Sequence, residues 1–444
     1  MYDHSHVGHA RTYLAYDIIA RYLRAKGYSL FYVANITDID DKIIDRGNAS
    51  GEDPLMLADR FTKAFYRDME ALGITSVNLY VKASEHVSEI ITQIKALIKN
   101  GYAYQVDGDI FFDVMKFPDY GKLSRQNIDQ LSVHRIDPDS RKRNVVDFAL
   151  WKSQKPGEPA WDSPWGKGRP GWHIEDTAIT ATYFGPQYDI HGGGQDLEFP
   201  HHEAEIAQAE AATGVKPLAK YWLHAGLLTV AGERMGKSMG NFVTIQELLK
   251  HHDSEALRLY YAMRHYRSQL EFNDSGVAQA EEVLDKLRSV HNQFKMLLEA
   301  SDRATNDQID PDVQQLTNTS VKSFNESMDD DFNTPRALAS FIAYGKDIEP
   351  YVNRKLGTRS LSLILSTFDY FGSVFGILRP TSGSKGKTFE QLLDVVLRIR
   401  EDARKRGDWK TSDAIRDNLK EIGIGLEDTS QGARWYLSAS RSET

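Results

Sequence analysis

Through the first hundred residues the apolar positions switch between two periods. From His9 to Lys26, the residues Leu14, Ile18, Ile19, Tyr22 and Leu23 fall at helical spacing, and Gly27 stands where a helix can end in left-handed backbone. Ser29 to Ala34 is then a short apolar run of strand length. Asp53-Pro54 reads as cap and first-turn proline of a second helix carried by Phe61, Phe65, Met69 and Leu72, with Gly73 to stop it. A strand from Asn78 to Val81 follows, and then a helix from Glu85 to Lys99 with Ile90, Ile91, Ile94, Leu97 and Ile98 inward. Helix and strand alternating at this pitch predict an α/β fold built on a parallel sheet with crossover helices.

The rhythm breaks at Tyr102. Ala103–Val106 and Asp109–Asp113 flank Asp107-Gly108, the pattern of a β-hairpin, and a Pro-, Gly- and Trp-rich stretch runs from Pro156 to Trp172. From about Val277 the pattern is helical, with Val283, Leu284, Leu287, Val290, Phe294, Leu297 and Leu298 along one face, and Thr334-Pro335 opens a further helix. Arg379 to Lys387 has the composition of a flexible linker. The expected division is residues 1–101 and 171–276 as two halves of the sheet domain, 102–170 as a connective insertion, 277–378 as a helical bundle and 388–444 as a small terminal domain.

Composition narrows the class. The chain has 444 residues, too many for one ordinary domain, and no apolar run of membrane-spanning length. Its first residues are neither basic nor apolar enough for a signal peptide, and without cysteine it can form no disulfide and no thiolate metal site. A cytoplasmic protein fits these features. The net charge of −9 speaks against a uniformly basic nucleic-acid binder, although local patches decide binding.

Two fragments carry chemistry. His6-Val7-Gly8-His9 sits at a helix start, and Arg234-Met235-Gly236-Lys237-Ser238 lies past the middle. Alone, the first suits a pair of metal ligands or a solvated helix end, and the second suits a surface turn that lacks Walker spacing. In this order on an α/β pattern, they resemble the two signature sequences of class I aminoacyl-tRNA synthetases. Activating a carboxylate with ATP builds negative charge at the α-phosphate and on departing pyrophosphate, so donors must be in place beforehand. His6 and His9 stand where free backbone N–H groups and the helix dipole already favour phosphate, and Gly8 permits close approach. Lys237, between Gly236 and Ser238, suits a mobile loop that closes over the phosphates.

The resemblance sharpens elsewhere. Tyr2-Asp3-His4-Ser5-His6-Val7-Gly8-His9, Asn35-Ile36-Thr37-Asp38-Ile39-Asp40-Asp41-Lys42, Gly171-Trp172-His173-Ile174-Glu175, and His191-Gly192-Gly193-Gly194-Gln195-Asp196 through His201-His202-Glu203 are similar to cysteinyl-tRNA synthetases. So are Met328-Asp329-Asp330-Asp331-Phe332-Asn333-Thr334-Pro335 and Leu426-Glu427-Asp428, so the likeness covers nearly the whole length in order. It implies phosphate-binding roles for His6 and His9 and an ATP-loop role for Arg234, Lys237 and Ser238. It also implies an adenosine-binding turn at Gly193 with Asp196 on the ribose, and an amino-acid pocket floored by Trp172 and lined by His173 and His191. The implied fold of the catalytic domain is a doubly wound, Rossmann-like parallel sheet; the implied substrates are ATP with Mg²⁺, cysteine and tRNA, and the implied state is a monomer.

The pattern fails at the metal. The family reads cysteine through zinc held by two Cys, a His and a Glu; here the first Cys position lies upstream of Tyr2 and the second is Asp176, while His201 and Glu205 remain. Asp176, His201 and Glu205 could still hold zinc; the pocket could be metal-free and select cysteine by shape and hydrogen bonds; or it could take another amino acid, or none. The sheet shows a second departure. The first strand of a doubly wound fold precedes the phosphate-binding helix, and none is legible ahead of His6, which gives the expectation that the natural product begins upstream.

For tRNA, Arg404, Lys405, Arg406 and Lys410 cluster with Trp409, and Arg434 adjoins Trp435; cations beside rings suit unstacked anticodon bases, and equally a solvated helix. Arg141-Lys142-Arg143 is a weaker candidate for the acceptor end. Two rivals stand beside the ligase: a paralogue joining cysteine to an amino sugar, and a catalytically silent tRNA-binding relative.

Overall fold

The computed structural model describes residues 1–126, 139–230, 232–234, 242–301, 308–379, 384–421, 424–429 and 432–437. It divides into a unit of residues 1–378 and a unit of residues 379–444.

The larger unit starts with α1 (Val7–Ala25), whose Leu14, Ile18 and Tyr22 are buried at the expected spacing. β1 (Val33–Ile36) and β2 (Leu79–Lys82) form a parallel pair joined by α2 (Asp41–Ser50) and α3 (Pro54–Ala71). Asp53 caps α3 and Pro54 is its first residue, as the dipeptide predicts. α4 (Val87–Lys99) leads into β3 (Ala103–Val106) and β4 (Asp109–Phe112). Asp107 and Gly108 both take positive φ, 50° and 87°, as a tight hairpin turn requires. With β5 (Phe148–Ser153) and β6 (Gly168–Pro170) they make a four-stranded antiparallel sheet in sequence order.

α5 (Ile174–Phe184), β7 (Tyr188–Gly194), α6 (Glu203–Thr213) and β8 (Ala219–Ala225) return to parallel pairing, β7 beside β8. Among the described residues, no ladder joins β1 to β7, so the parallel sheet is realised as two separate pairs. The strand expected from Ser29 starts instead at Val33. Just before Val33 the Tyr32 carbonyl accepts from the N–H groups of Asn78 (2.8 Å) and Leu79 (3.3 Å), but the ladder begins at Val33, and Phe31 is exposed.

β9 (Leu228–Val230) pairs with β10 (Glu233–Arg234) and β11 (Leu270–Phe272), while α7 (Ile245–His251) and α8 (Ser254–Ala262) pack against α1. α9 (Asp274–Ala300), α10 (Pro311–Asp329), α11 (Thr334–Ile348) and α12 (Thr358–Phe375) follow as a bundle around Phe324, Phe341, Phe368 and Phe371. One buried pair ties bundle to sheet domain. Arg258 on α8, wholly buried, meets Asp17 on α1 and donates to the carbonyls of Phe375 (2.6 Å), Leu72 and Gly73 (both 3.2 Å).

The smaller unit contains α13 (Ser384–Lys405), α14 (Trp409–Glu421) and a hairpin of β12 (Ile424–Thr429) with β13 (Gly432–Leu437). α13 corrects the expected linker: from Ser384 onward those residues are helical, and residues 380–383 lie outside the described set.

Candidate active site

His6 is the cap of α1, in extended backbone. Its Nδ1 accepts from the N–H of Gly8 (3.1 Å) and of His9 (3.3 Å), and its own N–H donates to His9 Nδ1 (3.3 Å). This is a reciprocal capping box built from two imidazoles. It also sets the tautomer: with both Nδ1 atoms accepting, each neutral ring carries its proton on Nε2. The rings stack at 3.7 Å and 16°. Enclosure lowers the pKa of both; the neighbouring imidazole lowers His9 further. Because His9 keeps a solvent-facing side, the stack on His6 is the firmer reason that the pair stays neutral. The result is two stacked rings at a helix N-terminus, each with an Nε2–H donor that the capping bonds do not use.

The segment leaving the second signature is pinned beside them. Val7 N–H donates to Val243 (3.1 Å), Ile245 N–H donates to Ser5 (3.0 Å), and the Phe242 ring meets the His6 ring edge-on at 5.3 Å. Arg234 ends β10 on the near side. Lys237 and Ser238 lie outside the described residues, between these two anchors.

A cleft of about 680 Å³ opens from His6, Gly8 and His9 across to β7, a size suited to a small-molecule substrate. Gly193 and Asp196 line its far wall. Tyr16 on α1 holds that wall, its hydroxyl 2.8 Å from the Gly193 carbonyl and 2.7 Å from that of Leu223. A Cβ on Gly192 would sit 2.5 Å from the Tyr16 ring, so the contact needs glycine.

The floor is polar and buried. Trp172, exposed on one side, stacks on His201 at 4.3 Å. His201 Nε2 lies 2.8 Å from Asp176 Oδ2 and 2.9 Å from Glu205 Oε1, and His191 Nε2 lies 3.4 Å from Glu205 Oε2. Burial opposes charge on His201, but Glu205 and Asp176 outweigh it and raise it to about 10. His173 does not line the cleft as expected. It stands behind His201, Nδ1 to Nδ1 at 2.8 Å, because it precedes α5 on the side facing Phe148. Three contributors escaped the sequence reading: Tyr188, bonded to His191 Nδ1 (2.7 Å), His224, bonded to His202 (2.8 Å), and Trp222 beside both His191 and His202. Trp222 and His224 stand two apart on one face of β8, so period-two spacing in the strand beside His191 is the signal that could have found them.

In the smaller unit Trp409 is 59% exposed and Arg404 lies 5.9 Å over its ring, a cation–π pair presented to solvent. Lys405 is paired with Glu401 (3.0 Å), and Arg406 is exposed. Arg434 and Trp435 sit on β13, in register with Glu427 and Leu426.

Residues 1–282 match the model of the tRNA synthetases class I (C) catalytic domain. Residues 323–379 match the DALR domain and 389–435 the cysteinyl-tRNA ligase anticodon binding domain. A cysteine–tRNA ligase of Heliobacterium modesticaldum is 44% identical over 98% of this chain and 92% of its own length; that of Thermococcus onnurineus is 43% identical with the same coverage. The chain belongs to the cysteine–tRNA ligase family. The class I fold extends further. Mycobacterium tuberculosis methionyl-tRNA synthetase in complex with methionyl-adenylate superposes with TM-score 0.58 at 16% identity, over 84% of this chain and 87% of that one. Agrobacterium radiobacter K84 leucyl-tRNA synthetase does so with TM-score 0.64 at 10% identity, over 84% and 82%.

The sequence contains no cysteine. The donors present still fit a divalent ion. Asp176, His201 and Glu205 bring one atom each within 4.8 Å of one another, all buried, and neither Glu205 oxygen has a hydrogen-bond partner.

Proposed function

We propose that this protein activates cysteine with ATP and passes the acyl group to the terminal ribose of its tRNA, working in the cytoplasm as a monomer with Mg²⁺ accompanying ATP. The carboxylate oxygen of cysteine attacks the α-phosphorus, pyrophosphate leaves, and a ribose hydroxyl then displaces AMP from the carbonyl carbon. The Nε2–H groups of His6 and His9 donate to the phosphate oxygens as charge builds, with Lys237 closing from the loop between Arg234 and Phe242, and Ser238 beside it. Neutral donors suit this role, since they strengthen toward developing charge without needing a proton from solvent.

Gly193 lets the adenosine lie against β7, Asp196 takes the ribose hydroxyls, and Trp172 floors the amino-acid pocket beside His191. A zinc ion held by Asp176, His201 and Glu205 would supply selectivity for a soft sulfur ligand over a serine hydroxyl. Arg404, Lys405, Arg406, Trp409, Arg434 and Trp435 serve the tRNA.

The observation that carries this reading is the two-histidine capping box facing a cleft that also holds the glycine turn. Pyrophosphate exchange with each of the twenty amino acids tests it. Exchange should depend on cysteine, and cysteine should then appear on tRNA rather than on an amino sugar; no exchange with cysteine overturns the reading.

A further inference from the structure

Arg11 is a buried cation without a counterion. It is 3% exposed, and its Nη2 donates to the carbonyls of His265 (3.4 Å), Tyr266 (3.5 Å) and Ser268. Nε and Nη1 have no hydrogen-bond partner, and among the described residues the guanidinium joins no ion pair. A guanidinium stays charged at any ordinary pH, so its unmet donors want an anion. Burial pulls its pKa down to about 10; after burial, the groups that weigh most on it are the Tyr261 and Tyr260 hydroxyls and the Arg264 cation, none of them a carboxylate. The acid beside it in the fold is already engaged. Asp331 accepts from Arg267 Nε (2.6 Å), Arg267 Nη2 (3.0 Å) and the Tyr266 hydroxyl (2.8 Å).

Arg11 lines a cavity of about 20 Å³, room for one oxygen-sized group, walled by Ile18, Tyr266 and Phe332. Arg264, exposed and in no ion pair among the described residues, lines it too. Asp331 and Phe332 hold positive φ, 50° and 54°, which a bulky side chain rarely takes, so contacts and not backbone preference fix that wall. This is not the substrate cleft. His9, Thr12, Tyr13 and Tyr16 face the cleft, while Arg11, Ala15 and Ile18 face the cavity; of the cavity's residues Ile19 alone lines both.

We infer that Arg11 and Arg264 take one phosphate group, a backbone phosphate of the tRNA, on the face of α1 turned away from the cleft. One oxygen enters the cavity toward Arg11, and the rest of the group lies on Arg264 at the surface. Guanidinium–phosphate bonds are charge-assisted and strong, and contacts of this kind set the position of a nucleic acid without reading its sequence. A polymer suits the cavity better than a free ion, because only one oxygen has to leave water. Naming RNA as the source rests on the proposed transfer to tRNA; the unmet charge of Arg11 does not.

Arg11→Gln would also remove the bonds to residues 265–268, so the exposed Arg264 carries the test. Filter binding of the full-length chain to its transcribed tRNA across a salt series should give a log–log slope reduced by about one unit in Arg264→Ala, and restored in Arg264→Lys. Ethylation interference along the same tRNA should reveal one phosphate whose modification weakens binding to the wild type but not to Arg264→Ala. Trp409→Ala should leave that phosphate's interference in place. Millimolar inorganic phosphate, against chloride at matched ionic strength, should leave the melting temperature unchanged.

An unchanged slope in Arg264→Ala, or no phosphate whose interference depends on Arg264, overturns the inference. If inorganic phosphate raises the melting temperature of the wild type and not of Arg264→Ala, while the tRNA pattern is the same in both, the site serves a free anion and the RNA assignment falls. Cysteine-dependent exchange and tRNA charging without such a phosphate would sink this inference alone. An Arg264-dependent phosphate in a protein that shows no cysteine-dependent exchange would support it and sink the proposed function instead.

Discussion

Thr244 closes an antiparallel bridge to His6, so the cap of α7 and the cap of α1 are paired backbone neighbours. The segment from Phe242 onward is thereby held against His6. His6 caps α1 and, in the proposed function, also donates to phosphate; substitution can separate the two. His6→Ala should cost about 1 kcal/mol of stability through the lost cap, and should slow cysteine-dependent pyrophosphate exchange by about 10²–10³-fold through the lost donor. His6→Asn should restore the melting temperature, because Asn caps well, without restoring the rate.

Gly192→Ala should damage the cleft wall that the proposed function assigns to the nucleotide. Its Cβ would push on the Tyr16 ring and break the hydroxyl's contacts with the Gly193 and Leu223 carbonyls. The KM for ATP should rise by about tenfold, roughly the 1–2 kcal/mol of a lost buried bond plus displacement. Tyr16→Phe should give a smaller rise, and the KM for cysteine should move less in either variant.

Arg258→Met should be among the most destabilising single changes in the larger unit. It leaves wholly buried Asp17 with Arg21 alone of its two arginines, and takes the arginine donor from the carbonyls of Leu72 and Phe375, while Gly73 keeps Arg21. Removing one partner of a buried pair costs about 3–5 kcal/mol. Urea unfolding followed by tryptophan fluorescence should show the midpoint falling accordingly.

The same pair gives an acid limb to the stability curve. Burial by itself would raise the Asp17 carboxyl, but Arg258 and then Arg21 outweigh it and hold it at about 2. Its folded value lies below the unfolded value of about 4. The stabilisation is therefore complete above about pH 4 and is lost as pH falls toward 2, amounting to about 2 kcal/mol. Between pH 5 and pH 3 the wild-type urea midpoint should fall further than that of Asp17→Asn, which cannot titrate.

Trp409→Ala should weaken tRNA binding about tenfold or more, the scale of one lost base stack, while pyrophosphate exchange without tRNA stays unchanged. A filter-binding series should show the loss, and Arg404→Ala should add a reduced salt dependence.

What could be read from the chain alone was whatever is decided within a few residues. The α3 cap, the Asp-Gly hairpin turn and the buried face of α1 are each set by neighbours one to four positions apart, and all three stand in the structure. The start of β1 was misjudged by four residues, because apolarity marks a strand while only the partner opposite decides where its ladder begins. His173 was misplaced for a similar reason: its motif neighbours Trp172 and Asp176 face the cleft, but the turn into α5 sends its ring behind His201.

The order of the motifs, the place of His6 and His9 at a helix start and the absence of cysteine were determined by the sequence by itself, since each depends on residue type and near spacing. That Arg258 reaches Asp17 across 241 positions, that Tyr16 supports Gly193, and that His191 is aimed at Glu205 were decided only by the tertiary structure. Such contacts join side chains from different elements. Their direction follows from how helices and strands pack, a quantity that no local pattern of residues carries.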